Sequence, residues 1–281
     1  MPDWYLMETA LQEISINDRA FQYGDGLFET VAIRNHEPRL WQYHSERLAK
    51  GCKALNFAMP KERELRSGLH HALQNSSVTS DHCTVKIIVT AGAGVRGYGR
   101  SKDVSPTVYF GVFPSTPPAL AHYRQGIETP ICRTRLAVGS ATAGLKTLNR
   151  LEQVLARSEL TRSKQFEGLT MDADGNIICG TMSNVFFVSG NSISTPPLDR
   201  CGVAGVMRRH VIETLRANDR SVDVAVMPES QLQSIDELFV SNSQFGVIPV
   251  ARCNKFDLGV GPVTKATMAL LAANGISECQ V

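Results

Sequence analysis

Between Leu27 and Thr90 the apolar residues change spacing twice, from strand-like to helical and back, and this narrows the fold more than any other feature of the chain. Leu27 to Arg34 is strand-like, and Asn35 to Pro38 reads as a turn. Trp41 to Leu55 then places Leu48, Cys52 and Leu55 on one helical face, and a second helix follows Pro60, from Lys61 to Gln74. Cys83 to Thr90 and Thr107 to Phe113 are rich in β-branched and aromatic residues and read as sheet strands. Together these elements predict an α+β unit.

From Ser115 to Pro118 the composition shifts to Ser, Thr and paired prolines, the signature of a linker. A domain boundary is expected there, between a small N-terminal α+β domain (residues 1–115) and a larger strand-rich C-terminal domain (116–281); 281 residues suffice for both. In the second domain Asn149 to Lys164 is helical, and an Asp172-Ala173-Asp174-Gly175 turn joins strands Gly168 to Met171 and Asn176 to Cys179. Further strands are expected at Val185 to Val188, Val222 to Val226, Leu238 to Val240 and Val247 to Val250. Helices are expected at Ala204 to Ala217, Ser230 to Ser234 and Pro262 to Ala273.

Composition removes several classes of function. Hydrophobic residues are 43% of the chain and charged residues 20%, the balance of a folded globular protein. The 29 basic and 27 acidic residues are interspersed, with a net charge of +2 and no basic stripe, so a nucleic-acid partner is not expected. Apolar runs fall well short of the roughly 20 residues that cross a bilayer. Met1 to Leu11, with Asp3 and Glu8, lacks the succession of a signal peptide, which makes the cytoplasm the expected compartment. Seven scattered cysteines without a C-x-x-C pair read as reduced thiols, and His70 and His71 are adjacent instead of three or four apart, so no metal site is expected. No G-x-S-x-G elbow supplies a hydrolase nucleophile.

Three segments could carry chemistry. Gly92 to Gly97 spells G-x-G-x-x-G, yet Tyr98 to Pro106 is no apolar helix that could receive a pyrophosphate. The segment is either a plain loop between strands or an active-site loop that presents Arg96 to an anionic substrate. Lys146, reached through Ala143-Gly144-Leu145, is either a solvent-exposed lysine at a helix start or a buried amine nucleophile. Cys201 to Arg208 is either an ordinary loop-to-helix junction or, with a basic side chain such as Arg47, a phosphate cup built on free backbone N–H groups.

Taken jointly, separated stretches over nearly the whole chain resemble the fold-IV pyridoxal-phosphate aminotransferase family. Asp18-Arg19-Ala20-Phe21-Gln22-Tyr23-Gly24-Asp25-Gly26-Leu27-Phe28-Glu29-Thr30 looks like its N-terminal signature, and His44-Ser45-Glu46-Arg47-Leu48 follows it. Gly180-Thr181-Met182-Ser183-Asn184-Val185-Phe186, Gly202 to Arg208, and Ser241-Asn242-Ser243 look like its C-terminal motifs. Gly94-Val95-Arg96-Gly97-Tyr98 and Leu145 to Leu155 are similar to the segments that mark the deoxychorismate-lyase branch. The resemblance implies a two-domain α+β fold like that of D-amino-acid aminotransferase, a homodimer, and pyridoxal 5'-phosphate as cofactor. It implies a small-molecule substrate, 4-amino-4-deoxychorismate, from which pyruvate is eliminated to give 4-aminobenzoate for folate biosynthesis. Lys146 would be the catalytic residue and carry the cofactor. Arg47, Cys179, Gly205, Val206 and Asn242 would complete its binding site, and Arg96 and Tyr98 would meet the substrate.

Two positions depart from the family pattern. Cys179 stands where the family has a glutamate paired with the pyridine nitrogen, and a thiol there is either a neutral group, a thiolate balancing a pyridinium, or a packing residue. Ala91 stands where the lyases commonly have an arginine. These departures keep two alternatives in view: a D-amino-acid or branched-chain aminotransferase, and a catalytically impaired cofactor-binding relative.

Overall fold

The computed structural model describes residues 3–80, 82–101, 105–161 and 164–281. Contacts divide the chain into two units, Met1–Thr116 with Leu145–Asn149, and Pro117–Gly144 with Arg150–Val281. Among the described residues the first unit has strands β1 (Asp3–Leu6), β2 (Thr9–Ala10), β3 (Gly26–Arg34), β4 (Glu37–Pro38), β5 (Cys83–Thr90) and β6 (Thr107–Pro114). They form one sheet in the order β2-β1-β6-β5-β3-β4, every neighbouring pair antiparallel. Helices α1 (Arg19–Tyr23), α2 (Trp41–Ala54) and α3 (Glu62–Asn75) complete the unit.

The alternation of β5 gives that sheet two different faces. Cys83, Val85, Ile87 and Val89 are buried in a core with Leu48 and Cys52 of α2 and Leu65, Leu69 and Ala72 of α3. Each of the valine, leucine and isoleucine side chains contributes about 1.5–3 kcal/mol when removed from water. Helix α3 meets the sheet at Gly68, where a β-carbon would stand 2.5 Å from the ring of Phe110, so only glycine allows this approach. Thr84, Lys86 and Ile88 alternate onto the opposite, half-buried face.

Lys146 was expected on the domain spanning 116–281, but its segment clusters with the first unit instead. The reason is an open strand edge. Strand β4 pairs only with Ile33 and Arg34, which leaves Gly26 to Phe28 of β3 without a neighbour on that side. Residues 146–148 take the place: Phe28 N–H donates to the Lys146 carbonyl (2.9 Å) and Leu148 N–H to the Gly26 carbonyl (3.0 Å). Leu145 anchors the segment by joining the same core.

Among the described residues the second unit has α4 (Leu120–Gln125), β7 (Ile127–Thr129), β8 (Ile131–Leu136), α5 (Leu151–Glu159), β9 (Leu169–Asp172), β10 (Ile177–Gly180), β11 (Asn184–Ser189) and β12 (Ser192–Thr195). It continues with α6 (Val206–Arg216), β13 (Val222–Val224), β14 (Glu237–Asn242), β15 (Gly246–Cys253), β16 (Phe256–Asp257) and α7 (Pro262–Ala273). One sheet is ordered β10-β9-β8; the larger is β13-β12-β11-β14-β15-β16, with β7 also on β15. Phe186 of β11 and Phe239 of β14 stack at 4.8 Å between centroids in its core. The helix expected over Asn149 to Lys164 is confined to α5, residues 162 and 163 lying outside the described set, and Ser230 to Ser234 is a 3₁₀ turn. Among the described residues no helix is long and apolar enough to cross a membrane. All seven cysteines are free and buried.

Candidate active site

Residues 26–30 and 145–148 form the chemical centre of the first unit. Lys146 is half-buried, with Nζ 4.3 Å from the centroid of the Phe28 ring, and Lys86 Nζ lies 5.0 Å from the same ring. One aromatic side chain thus carries two ammonium groups. A ring face stabilises a nearby cation through its quadrupole, while burial disfavours the charge and pulls the Lys86 pKa down. Sequence reading missed Lys86, because only β-register sets it near Phe28.

Glu29, the next residue of β3, is 2% exposed and is held by two groups of α2. His44 Nδ1 lies 2.5 Å from Oε2, and Arg47 donates Nε to Oε1 at 2.9 Å and Nη2 to Oε2 at 2.5 Å. Burial alone would raise the Glu29 pKa, but the Arg47 charge, then that of His44, outweigh it and bring it to about 2. Burial pulls the His44 pKa down against the pull of Glu29, and His44 Nε2 is buried without a hydrogen-bond partner among the described residues. Arg47, expected to hold phosphate, therefore stands on a carboxylate that fixes its position.

Arg96 and Tyr98 belong to the loop after β5. Both are exposed, Tyr98 at 89%, and the Tyr98 ring meets that of Tyr23 edge-on at 5.6 Å. Ala91 is fully buried, and its N–H donates to the Asp25 carbonyl at 2.9 Å.

In the second unit Cys179 lies on β10, 6% exposed, with its Sγ 3.4 Å from Thr170 Oγ1. Burial pushes the thiol up to about 12, the Thr170 hydroxyl opposing only in part. Burial thus favours the neutral thiol and disfavours the thiolate among the three readings drawn from sequence.

Gly205 is the N-cap of α6, and no side chain caps that end, so the first N–H groups of the helix, from Val206 onward, lack acceptors within the helix. A β-carbon at Gly205 would stand 1.9 Å from Asn184 Oδ1, and the Asn184 amide donates to the Val203 carbonyl at 2.9 Å. Ser241 pairs with Asn184 across β11 and β14, and its Oγ is fully buried without a partner among the described residues. An uncapped helix N-terminus beside an unpaired buried hydroxyl suits an anion. Asn242 serves its own turn: Oδ1 accepts from Gln244 N–H (2.9 Å) and Phe245 N–H (3.1 Å), and Nδ2 donates to the Met182 carbonyl (3.3 Å).

Glu167, also missed from sequence, is fully buried and accepts from Thr181 N–H and Gly168 N–H, both 2.9 Å, and from Ser183 Oγ at 2.7 Å. It shapes the 180–183 turn next to Cys179. No local motif announces it.

With this geometry in hand, comparison with known proteins is decisive for the family. The family model described as Amino-transferase class IV matches residues 26–253. The chain belongs to the class IV aminotransferases. It is 34% identical over 256 residues to an aminodeoxychorismate lyase of Vibrio harveyi, covering 90% of this chain and 93% of that protein. The crystal structure of 4-amino-4-deoxychorismate lyase from Pseudomonas aeruginosa superposes with a TM-score of 0.90 at 36% identity, over 97% of this chain and 99% of that one. A hypothetical aminotransferase from Mycobacterium tuberculosis, solved in a PLP-bound form, shares the fold at a TM-score of 0.81 and 20% identity, over 98% and 99% of the two chains. This class IV chain accordingly has the α+β fold expected from its sequence.

Proposed function

We propose that this class IV chain is a pyridoxal-phosphate-dependent 4-amino-4-deoxychorismate lyase that releases pyruvate and forms 4-aminobenzoate. The observation that carries the reading is Lys146: an amine on a strand edge, half-buried against Phe28, in a chain whose lyase relatives match it over nearly full length. The residues fit the cofactor. In the second unit the uncapped N-terminus of α6 and the buried Ser241 hydroxyl suit its phosphate; in the first unit the Lys146 amine suits its aldehyde, and Arg47 is a guanidinium held in place by Glu29.

When bound, the cofactor withdraws electrons from the substrate carbon that carries the amino group. Lys146 then takes the proton from that carbon as general base, its amine lying against the Phe28 face. Arg96 binds a substrate carboxylate, a task for which a guanidinium offers two parallel donors, and Tyr98 lies beside it in the loop. A buried Cys179 thiol, unlike a carboxylate, would offer no negative charge to a bound cofactor's ring nitrogen, and this supports elimination over amino transfer, because aromatisation of the product makes elimination downhill with less electron withdrawal. A homodimer, implied by the family resemblance, is part of this proposal.

The test is pyruvate release from 4-amino-4-deoxychorismate, coupled to lactate dehydrogenase and run without any added keto acid. Stoichiometric pyruvate and 4-aminobenzoate are expected. Amino transfer to a keto acid with no pyruvate would replace the reading with an aminotransferase.

A further inference from the structure

The loop bearing Arg96 is gripped by a side chain that the proposed chemistry does not use. Arg19 is 3% exposed, and its guanidinium gathers three consecutive carbonyls: Nη1 donates to Gly97 (3.0 Å) and Gly99 (3.4 Å), and Nη2 to Tyr98 (2.9 Å). Its Nε donates to Asp25 Oδ2 at 2.8 Å. The other Asp25 oxygen takes Nη2 of Arg100, whose Nη1 donates to the carbonyls of Leu55 and Asn56. Tyr23 adds a second grip: its hydroxyl accepts the Gly97 N–H at 3.0 Å, and its ring lies 5.0 Å from the Arg19 guanidinium carbon. At the near end of the loop, Arg19 N–H donates to the Gly92 carbonyl and Gly94 N–H to the Asn17 carbonyl, both at 3.0 Å.

Successive carbonyls of an extended chain alternate in direction, so three can converge on one cation only if the backbone curls. A buried guanidinium in turn demands that its donors be used, and its planar fork reaches several acceptors where an ammonium is a single point. Cation and curl therefore require each other. Arg96 is left exposed immediately before Gly97, a residue whose N–H and carbonyl are both engaged.

We propose that Arg19, with Asp25 as its counter-charge, is a positioning residue: it holds the Gly94 to Gly99 loop in the curl that presents Arg96, and so governs substrate affinity without touching substrate. The inference rests on Arg96 as the carboxylate-binding group. Two readouts on the holoenzyme separate the two claims: steady-state kinetics, and the rate of tryptic cutting at the Arg96–Gly97 bond followed by mass spectrometry. Trypsin needs that bond unhooked and extended, so cutting reports on the grip whatever the substrate is.

Arg19→Met is expected to raise KM roughly ten- to a hundredfold with kcat changed by less than about threefold, since misplacing a binding group by about 1 Å costs on that order. Arg19→Lys, which keeps the charge beside Asp25 but not the fork, is expected to behave like Arg19→Met. The double variant Arg19→Met/Arg96→Ala should have the KM of Arg96→Ala alone, because the first change acts through the second. Tryptic cutting should become at least about tenfold faster, as an opening equilibrium shifts. Full rescue by lysine, additive KM effects, or an unchanged cutting rate would overturn the proposal. An unchanged KM in Arg96→Ala would remove the substrate role of the loop, and this proposal with it, while faster cutting in Arg19→Met would still show the grip to be real. Should Arg19→Met fail to fold, Tyr23→Phe removes a single hydroxyl from the same grip; a KM rise of a few-fold with faster cutting supports the proposal, and no change in either overturns it.

Discussion

Glu29 shows how one buried carboxylate serves a site made of cations. It neutralises Arg47 and orients His44, and its low pKa records how strongly it is held. Glu29→Gln is expected to cost roughly 3 kcal/mol in urea unfolding at neutral pH, the free energy equivalent to a carboxyl taken from its ordinary 4.5 to about 2; a loss below about 1 kcal/mol would show that Arg47 needs no counter-charge. Cys179→Glu is expected to place a carboxyl where the thiol is neutral, shift the absorbance of the bound cofactor, and raise amino transfer relative to pyruvate release. An unchanged spectrum and unchanged product ratio would mean that this position does not tune the ring. At this scale the sequence singled out residues in distinctive local strings, Lys146, Arg47 and Arg96, whose roles belong to the proposal. It was silent on Lys86, Glu167 and the grip of Arg19, whose partners lie on other strands and loops.

Helix α6 joins local pattern to site. Its amphipathic run was readable, but its first turn was expected at Ala204 and begins at Val206, because Gly205 is extended and serves as the cap, while Ala204 N–H donates to the Gly144 carbonyl (2.9 Å). Gly205→Ala is expected to displace the Asn184 amide from the Val203 carbonyl, costing about 1–3 kcal/mol in thermal or urea unfolding. It should also weaken pyridoxal-phosphate binding to the apo-protein in a fluorescence titration. Undiminished affinity would mean that this helix end does not hold the phosphate. The strands Cys83–Thr90 and Pro262–Ala273 helix were legible to the residue, since strict periodicity and flanking breakers fix their ends. Strands β1, β7, β8 and β12 escaped: they are six residues or shorter, and long-range pairing, not local pattern, makes them strands.

For the molecule as a whole, acid is the revealing variable. Glu29 has a folded pKa below its unfolded value, so its stabilisation is complete above about 4.5 and is lost as pH falls toward about 2. His44 is also depressed when folded, so below its ordinary 6.5 the unfolded chain takes up the proton more readily and stability again falls. Chemical unfolding followed from pH 7 downward should therefore show stability declining below about 6.5, and Glu29→Gln should flatten the portion below about 4.5. A wild-type curve level down to pH 4 would contradict the buried Glu29–His44–Arg47 arrangement. The assignment of Lys146 to the first unit was the fold-level feature hardest to read from sequence, because a segment of five residues crosses the expected boundary to fill an open edge of β3. The most direct test of the account pairs an absorbance spectrum of the purified protein with pyruvate release on adding 4-amino-4-deoxychorismate, for the wild type and Lys146→Ala. The expected result is a cofactor band and pyruvate in the wild type, both lost in the variant; a wild type that binds no cofactor, or a variant that keeps releasing pyruvate, would contradict it.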